Sequence, residues 1–244
     1  MGLIWQDNDM TVAPDISAYE MQQLQQGQWF HSLPAHVQQQ LLSHAKIKHL
    51  TAQQYLFYRN DAFDGLYCVL EGALRINSHN EQGKEALLAV IEPCNWFGEI
   101  ALIDGLPRTH DAVAEKPSKL LWIPPAALEQ MLQDNPLCWR YMAQLSTQKI
   151  RFTFASLEEN ALFPAFKRLV SRLIVIAEGY GELSQNSRRV LNLPQEQLAS
   201  MLAISRQTTN QILKQLEMQQ LIRVDYREVE ILDLAGLKQL NQKI

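Results

Sequence analysis

The sequence has few cysteines and no long apolar run, and each absence excludes a class of protein. Its three cysteines, Cys68, Cys94 and Cys138, are widely spaced and form no CxxC pair, so neither a disulfide framework nor a thiolate metal site is predicted. No apolar stretch approaches the ~20 residues of a membrane span, and the N-terminal MGLIWQDNDM lacks the basic start and apolar core of a signal peptide. We therefore expect a cytoplasmic protein that is neither secreted nor embedded in a membrane.

An excess of basic residues is also missing. The formal net charge is -4, but residues 1–154 carry 11 Lys and Arg against 16 Asp and Glu, whereas residues 155–244 carry 11 against 10, which gives -5 and +1. At 244 residues the chain is long enough for two domains. The sequence therefore predicts an acidic domain joined to a nearly neutral one, and binding to nucleic acid would depend on local basic patches rather than on the total charge.

The hydrophobic periodicity changes near residue 46. From Tyr19 to Ala45, apolar residues recur at helical spacing with interruptions at Gly27 and Pro34, which predicts two or three short helices. Between Ile47 and Ile123, short apolar or alternating segments are separated by glycine-containing turns, as in a compact antiparallel β barrel or jelly roll. Residues 19–135 are predicted to form this first domain.

A long helix is predicted from about Pro136 to about Glu159, with Asn135 as its cap. Its apolar residues cover more than one stripe, which favours packing on the β domain with one face and on a partner's copy of the helix with the other. A single buried core helix is the alternative. We assign residues 136–162 to a dimerisation helix and place a hinge at Phe163-Pro164.

Residues 97–112, FGEIALIDGLPRTHDA, have the composition of an anion-binding loop. Backbone amides after Gly98, a helical turn at Ile100 to Leu102, the Arg108 guanidinium and the Thr109 hydroxyl together predict a phosphate cradle, because helix N-termini and arginine forks favour anions.

The C-terminal residues 163–244 contain a predicted winged helix-turn-helix. In LPQEQLASMLAISRQTTNQILKQLE, residues 193–217, two short helices are separated by about three residues, with Ala199 and Ala203 expected at the helix crossing and Ser205 as the second N-cap. The second helix opens with donors and acceptors suited to base edges and phosphates: Arg206, Gln207, Thr208, Thr209, Asn210 and Gln211. The following LIRVDYREVEIL predicts a two-stranded wing with Arg223 and Arg227 near its turn.

These motifs resemble those of the Crp/Fnr family of transcriptional regulators over nearly the full chain. The family's cyclic-nucleotide signature is matched by Phe97, Gly98, Glu99, Ala101, Leu102, Arg108 and Thr109, and an earlier turn and strand pattern is matched by Asp61, Gly65, Cys68 and Gly72. The resemblance implies an α+β fold with a cyclic-nucleotide-binding jelly roll, a long dimerisation helix and a C-terminal winged helix-turn-helix.

The resemblance also implies functional residues. Glu99 would accept a hydrogen bond from a ribose hydroxyl of cAMP or cGMP, Arg108 and Thr109 would hold the cyclic phosphate, and Thr153 would meet the base. The effector set is Gly98, Glu99, Ile100, Ala101, Arg108, Thr109 and Thr153, and the DNA-binding set is Ser205, Arg206, Gln207, Thr208 and Gln211. The partners implied are two-fold symmetric double-stranded DNA, a second copy of the chain and RNA polymerase.

The sequence departs from the family pattern at His110 and Phe154, where both side chains add bulk near the expected nucleotide. The effector could therefore be a cyclic nucleotide or another small anion. The sequence does not identify the target genes, and it does not show whether the protein activates or represses them.

An iron-sulfur sensor would need an N-terminal cysteine cluster, which residues 1–60 lack. A haem sensor could draw on four N-terminal histidines, His31, His36, His44 and His49, although these are expected to be surface or packing residues. A cupin-type metalloenzyme would need two histidines one residue apart, and His79 in the barrel has no histidine so near in the sequence, so no enzyme is expected.

Overall fold

The computed structural model describes residues 16–83, 85–181, 190–191, 194–226 and 228–243. Three short helices come first, α1 (Ala18–Leu24), α2 (Gln28–Ser32) and α3 (Ala35–His44). A capping box starts α1, because the Ser17 hydroxyl accepts from the Glu20 amide while the Glu20 carboxylate accepts from the Ser17 amide. The two or three helices predicted for this segment are confirmed.

Six antiparallel strands form the roll: β1 (Lys46–Leu50), β2 (Tyr55–Phe57), β3 (Leu66–His79), β4 (Glu85–Ile91), β5 (Trp96–Phe97) and β6 (Asp111–Ile123). Their order is β1-β6-β3-β4, with β2 paired to β6 and β5 paired to β3. The six-residue helix α4 (Glu99–Asp104) lies between β5 and β6. Long central strands buried on both faces, with the aromatic side chains of Tyr67, Trp96 and Phe97 in the core, stabilise the roll.

Two further helices follow the roll, α5 (Pro125–Asp134) and α6 (Cys138–Leu162). The long helix begins at Cys138, two residues after the predicted start at about Pro136, because the Asn135 carbonyl accepts from the Cys138 amide and closes a turn that leaves Pro136 outside the helix. The helix also runs past Glu159. It ends at Leu162, because the next residue, Phe163, precedes a proline and is therefore disfavoured in helical conformation; Phe163 has φ −114° and ψ 147°.

The C-terminal elements are α7 (Ala165–Ala177), a 3-10 turn (Gly179–Gly181), β7 (Val190–Leu191), α8 (Gln195–Met201), α9 (Arg206–Met218), β8 (Ile222–Asp225), β9 (Glu228–Ile231) and α10 (Leu234–Lys243). The strands form one sheet in the order β7-β9-β8. The helix-turn-helix and its wing are thus confirmed as elements. Arg227 of the wing lies outside the described residues.

The C-terminal elements pack against the β4 side of the roll. Ala73, Leu87 and Val90 are buried in the same apolar cluster as the core of α7, α8 and α9. The Val90 amide donates to the Tyr180 hydroxyl at 3.3 Å, and Gln197 Nε2 donates to Glu115 Oε1 at 3.3 Å. The roll and the helix-turn-helix therefore share a packed interface in this structure.

Candidate effector and DNA-recognition sites

The backbone of the predicted cradle requires glycine at position 98. Gly98 is the N-cap of α4 and has φ 99°, a conformation that side chains disfavour. A Cβ added there would lie 2.8 Å from Arg108 Nη1 and 3.0 Å from the Gly65 carbonyl oxygen. The close approach of these three segments thus depends on a residue without a side chain.

Arg108 lies at the centre of the cradle, where it is 4% exposed. Its Nη1 donates to the Gly98 carbonyl at 2.9 Å, and its Nη2 donates to the Gly65 carbonyl at 2.6 Å and to the Asp64 carboxylate. The Phe57 ring lies 4.3 Å from the guanidinium carbon. Arg108 is therefore oriented by protein acceptors, and Asp64 is a part of the site that the sequence analysis did not single out.

Asp64 is itself fixed by neighbouring aromatic residues. The Tyr67 hydroxyl donates to its carboxylate, and Trp122 Nε1 donates to its carbonyl at 2.7 Å. Burial, followed by the hydrogen bond to Asp64, raises the pKa of Tyr67, so the phenol stays neutral and donates. The orientation of Arg108 is thus set by a second layer of hydrogen bonds.

Glu99 connects the cradle to the long helix. The side chain is 1% exposed, and Oε2 lies 2.6 Å from Lys149 Nζ on α6. Its Oε1 is buried and has no hydrogen-bond partner among the described residues. Lys149 was missed from the sequence, although it lies one helical turn before Thr153 on the same side of α6. A buried acceptor without a partner costs free energy, so a ligand that donates to Oε1 would be stabilised.

The other predicted cradle residues differ in their surroundings. Thr109 Oγ1 lies 2.9 Å from His110 Nδ1, and Thr153 Oγ1 donates to the Lys149 carbonyl at 3.0 Å. Ala101 is buried and Ile100 is 41% exposed. Burial lowers the pKa of His110, and the positive charge of the nearby Arg59 lowers it further, whereas Asp111 acts in the opposite direction. The imidazole at the cradle therefore favours its neutral form.

A cavity of about 510 Å³ lies between the cradle, β4 and α6. Its lining includes every predicted effector residue, namely Gly98, Glu99, Ile100, Ala101, Arg108, Thr109 and Thr153. His110, one of the two positions where the sequence departs from the family pattern, also lines it. The expectation for Phe154 is wrong within this chain, because its side chain is 67% exposed and lies outside the lining.

The predicted recognition helix presents a polar outer face. Ser205 caps α9 by accepting from the Thr208 amide at 3.0 Å. Arg206, Gln207 and Gln211 are exposed and share a shallow groove with Asn210 and Lys214. Thr208 is half-buried and bonds to the Ser205 hydroxyl at 2.8 Å. The arrangement gives one surface of α9 the donors and acceptors that a DNA groove requires.

Two details of the helix-turn-helix differ from expectation. Thr209 does not belong to the polar face, because it is fully buried and its hydroxyl donates to the Ser205 carbonyl at 3.1 Å. Ala203 does not lie at the helix crossing either. It is exposed and has φ 50°, since the chain reverses there between α8 and α9.

The described residues contain no group of three or more His, Cys, Asp or Glu side chains placed to hold a metal ion. No helix in the described part of the chain has the length and apolar character needed to cross a membrane.

Comparison with known protein families matches both halves of the chain. Residues 47–135 match the cyclic nucleotide-binding domain, and residues 167–240 match the Crp-like helix-turn-helix domain. A CRP-like cAMP-activated global transcriptional regulator of Mycobacterium tuberculosis is 26% identical over 183 residues, 75% of this chain and 82% of that protein. The transcriptional regulator SdrP of Thermus thermophilus is 28% identical over 177 residues, 72% of this chain and 84% of that protein.

Solved structures share the fold. A Crp/Fnr-family transcriptional regulator from Thermus thermophilus superposes with a TM-score of 0.62 at 24% identity, covering 80% of this chain and 98% of that one. FixK2 from Bradyrhizobium japonicum gives a TM-score of 0.69 at 16% identity, covering 80% of this chain and 96% of that one. Fold and domain matches together define an effector-regulated, DNA-binding transcriptional regulator. The chain belongs to the Crp/Fnr family, which confirms the predicted family and fold class.

Proposed function

We propose that an effector in the roll cavity controls how a homodimer of this regulator binds a two-fold symmetric DNA site. The observation that supports the proposal is Glu99, which lines the cavity: its buried Oε1 has no hydrogen-bond partner among the described residues, while its Oε2 lies 2.6 Å from Lys149 Nζ of α6. A ligand donor at Glu99 would therefore act on the long helix as well as on the cradle. Differential binding to two arrangements of α6 and the following domain would shift their populations.

A cyclic nucleotide, cAMP or cGMP, is the first candidate effector. It is supported by the domain match and by relatives named as cAMP-activated. A ribose hydroxyl would donate to Glu99, and the phosphate would lie against Arg108, Thr109 and the amides that follow Gly98. Family analogy further suggests RNA polymerase as a partner and the cytoplasm as the place of action. The domain limits at residues 135 and 162 stay predictions.

Calorimetry with cAMP and cGMP tests the effector proposal. Arg108→Lys keeps the charge but loses the planar fork, so we expect nucleotide binding to weaken at least tenfold, as a charge-assisted bidentate contact contributes about 1.5–3 kcal/mol. Arg151→Lys, at an exposed position of α6 outside the cavity, is the matched control and should bind like the wild type. Circular dichroism checks that Arg108→Lys stays folded. Absence of heat with both nucleotides at millimolar concentration would reject the cyclic-nucleotide effector.

The base read by Gln207 tests the DNA-binding proposal. Glutamine both donates and accepts and suits adenine, whereas glutamate only accepts and suits the amino group of cytosine. In selection from random duplexes, we expect wild type and Gln207→Glu to enrich different bases at one half-site position, with discrimination of about 1–3 kcal/mol.

Arg206→Ala should lose a fixed guanine in the same selection, because arginine forks onto the O6 and N7 of guanine. Lys214→Ala, further along the exposed face of α9, is the comparison variant. Equal weakening on all sequences by Arg206→Ala would instead make Arg206 a phosphate contact. The same base enriched by wild type and Gln207→Glu would reject the proposed role of Gln207.

A further inference from the structure

The roll cavity continues past the cradle along α6 towards the C-terminal domain. Positions 149, 152, 153, 156, 157 and 160 of α6 line it, and their three- and four-residue spacing makes one continuous stripe of the helix. Beyond the cradle, α7, α8 and the 3-10 turn complete the walls. We call this end the distal lobe, formed by Ser156, Leu157, Asn160, Arg172, Val175, Tyr180 and Met201.

Arg172 is the charged residue of the distal lobe. Its Nη2 lies 3.4 Å from Ser156 Oγ, a long contact, and no carboxylate of the described residues lies within ion-pair distance of it. Arg168, one turn earlier on α7, instead donates to Asn160 Oδ1 at 2.8 Å and to the Leu202 carbonyl at 3.2 Å. Arg172 is therefore the arginine that α7 presents to the cavity, and no counter-ion contacts it within the described part of the chain.

The nearest phenol does not neutralise this cation. Burial raises the pKa of Tyr180, so its hydroxyl stays protonated beside Arg172. Arg172 is half-buried and has no counter-ion among the residues described here, so its guanidinium can bind an anion, because desolvation strengthens its attraction for a carboxylate. The walls between Arg172 and the cradle are apolar, with contributions from Ile91, Phe152 and Val175.

The spacing of the two polar ends follows from α6. Glu99 is held by Lys149, and Arg172 is in contact with Ser156, seven residues further along the helix. Seven residues are two turns, or about 10.5 Å along the axis. One end offers the acceptor Glu99 Oε1 and the other offers the cation Arg172, with an apolar wall between them.

We propose that the cavity binds an elongated carboxylate that carries a hydroxyl at its far end, with the hydroxyl at Glu99, an apolar body along α6 and the carboxylate on Arg172. The inference deepens the proposed function, since it rests on effector binding in this cavity and names the class of effector. A 3',5'-cyclic nucleotide has its hydroxyl and phosphate on one sugar ring, so it would occupy the cradle and leave Arg172 without an anion.

Titration of the full-length protein with ω-hydroxyalkanoates of four, six, eight, ten and twelve carbons tests the proposal by calorimetry. A chain extends roughly 1.2 Å per bond, so we expect the tightest binding at about eight to ten carbons. Arg172→Gln should weaken binding of the best acid at least tenfold, the loss expected for a charged hydrogen bond. It should weaken binding of the diol of equal length much less, because a neutral hydroxyl gains less from the guanidinium than a carboxylate does.

Arg151→Gln is the matched control for the change of charge, and the diol serves as the folding control for Arg172→Gln. The proposal is overturned if no acid binds, if affinity is independent of length, or if the acid binds no tighter than the diol. Equal affinity of the acid for wild type and Arg172→Gln also overturns it. A parallel titration with cAMP reports on the cyclic nucleotide alone, and Arg172→Gln should not change that result.

Discussion

At the scale of single residues, the cradle combines one backbone requirement with one buried charge network. Gly98 has a left-handed conformation and touches Arg108, whereas Gly105, at the other end of α4, is also left-handed with φ 68° but has nothing within 4 Å of an added Cβ. The two glycines therefore separate the cost of the backbone conformation from the cost of a steric clash.

Gly105→Ala should lower the free energy of unfolding by about 1 kcal/mol, the cost of placing a side chain in this conformation. Gly98→Ala should lower it by about 1–3 kcal/mol more, because its Cβ would overpack against Arg108 and Gly65. Urea unfolding monitored by tryptophan fluorescence measures both. Equal effects of the two substitutions would show that Arg108 moves away from the added methyl group without lowering the free energy of unfolding.

His110 predicts a pH dependence of stability. Because its pKa is lowered in the folded protein, the unfolded chain takes up a proton more readily near the ordinary value of about 6.5. The free energy of unfolding should therefore fall as the pH is lowered from about 7.5 through 6.5 towards the folded-state pKa. His110→Gln should make this fall shallower, while His36→Gln, at an exposed position of α3, serves as the control. Parallel curves for wild type and His110→Gln would contradict the assignment.

At the scale of secondary-structure elements, α6 has two adjoining faces. One face carries the cavity stripe and the buried residues Met142 and Leu145. A second face presents the apolar side chains of Trp139, Ile150 and Phe154, which are 42%, 47% and 67% exposed. Leu157, 58% exposed, lies at the boundary of the two faces, and positions 150, 154 and 157 have the four- and three-residue spacing of a heptad repeat. An unpartnered apolar seam on a long helix supports the proposed homodimer.

The double variant Ile150→Asp with Phe154→Asp should split this dimer, because each aspartate would bury a charge without a partner in the seam. Ala155→Asp, exposed on the opposite side of α6, is the matched control and should stay dimeric. Light scattering at micromolar concentration distinguishes the two. A wild type that runs as a 28.0 kDa monomer would contradict the proposal.

The sequence predicted the elements better than their contacts. Periodicity located the roll, the long helix and the helix-turn-helix, and the motif identified Glu99, Arg108 and Thr109, because these signals are local. Asp64 and Lys149 escaped notice because their partners lie 44 and 50 residues away. Arg172 and Tyr180 reach the cavity only through the packing of α7 against the roll. The sequence pattern also predicted Thr209 on the polar face of α9, but this residue is buried and its hydroxyl donates to the Ser205 carbonyl at the start of the same helix.

At the scale of the whole molecule, the recognition helix begins close to the roll. Arg206, Tyr226 and Gln197 line one cleft together with Arg75 and Glu85 of the roll. A DNA duplex that reaches Arg206 would compete with this side of the roll for space. We expect the arrangement in the structure to bind DNA weakly, and DNA binding to favour separation of the two domains.

Leu87→Asp should loosen the packed interface and increase effector-independent DNA affinity several-fold, because Leu87 is buried among the C-terminal core residues and lines the cleft. Ala86→Asp, exposed on the same strand, is the control and should bind DNA like the wild type. Fluorescence anisotropy with a labelled duplex measures the difference. Unchanged affinity in Leu87→Asp would show that the interface does not restrain DNA binding.

The position of β4 has a consequence for the solubility of the roll. Among the described strands, β4 pairs with β3 alone, so its other edge has no neighbouring strand, and α8 packs close to β4. A strand edge flanked by apolar residues such as Leu87 and Val90 is a template for pairing with another chain. A roll without its C-terminal domain should therefore self-associate through β4 into β-sheet aggregates. In the full chain, the DNA-binding domain covers this strand and so protects the roll from aggregation.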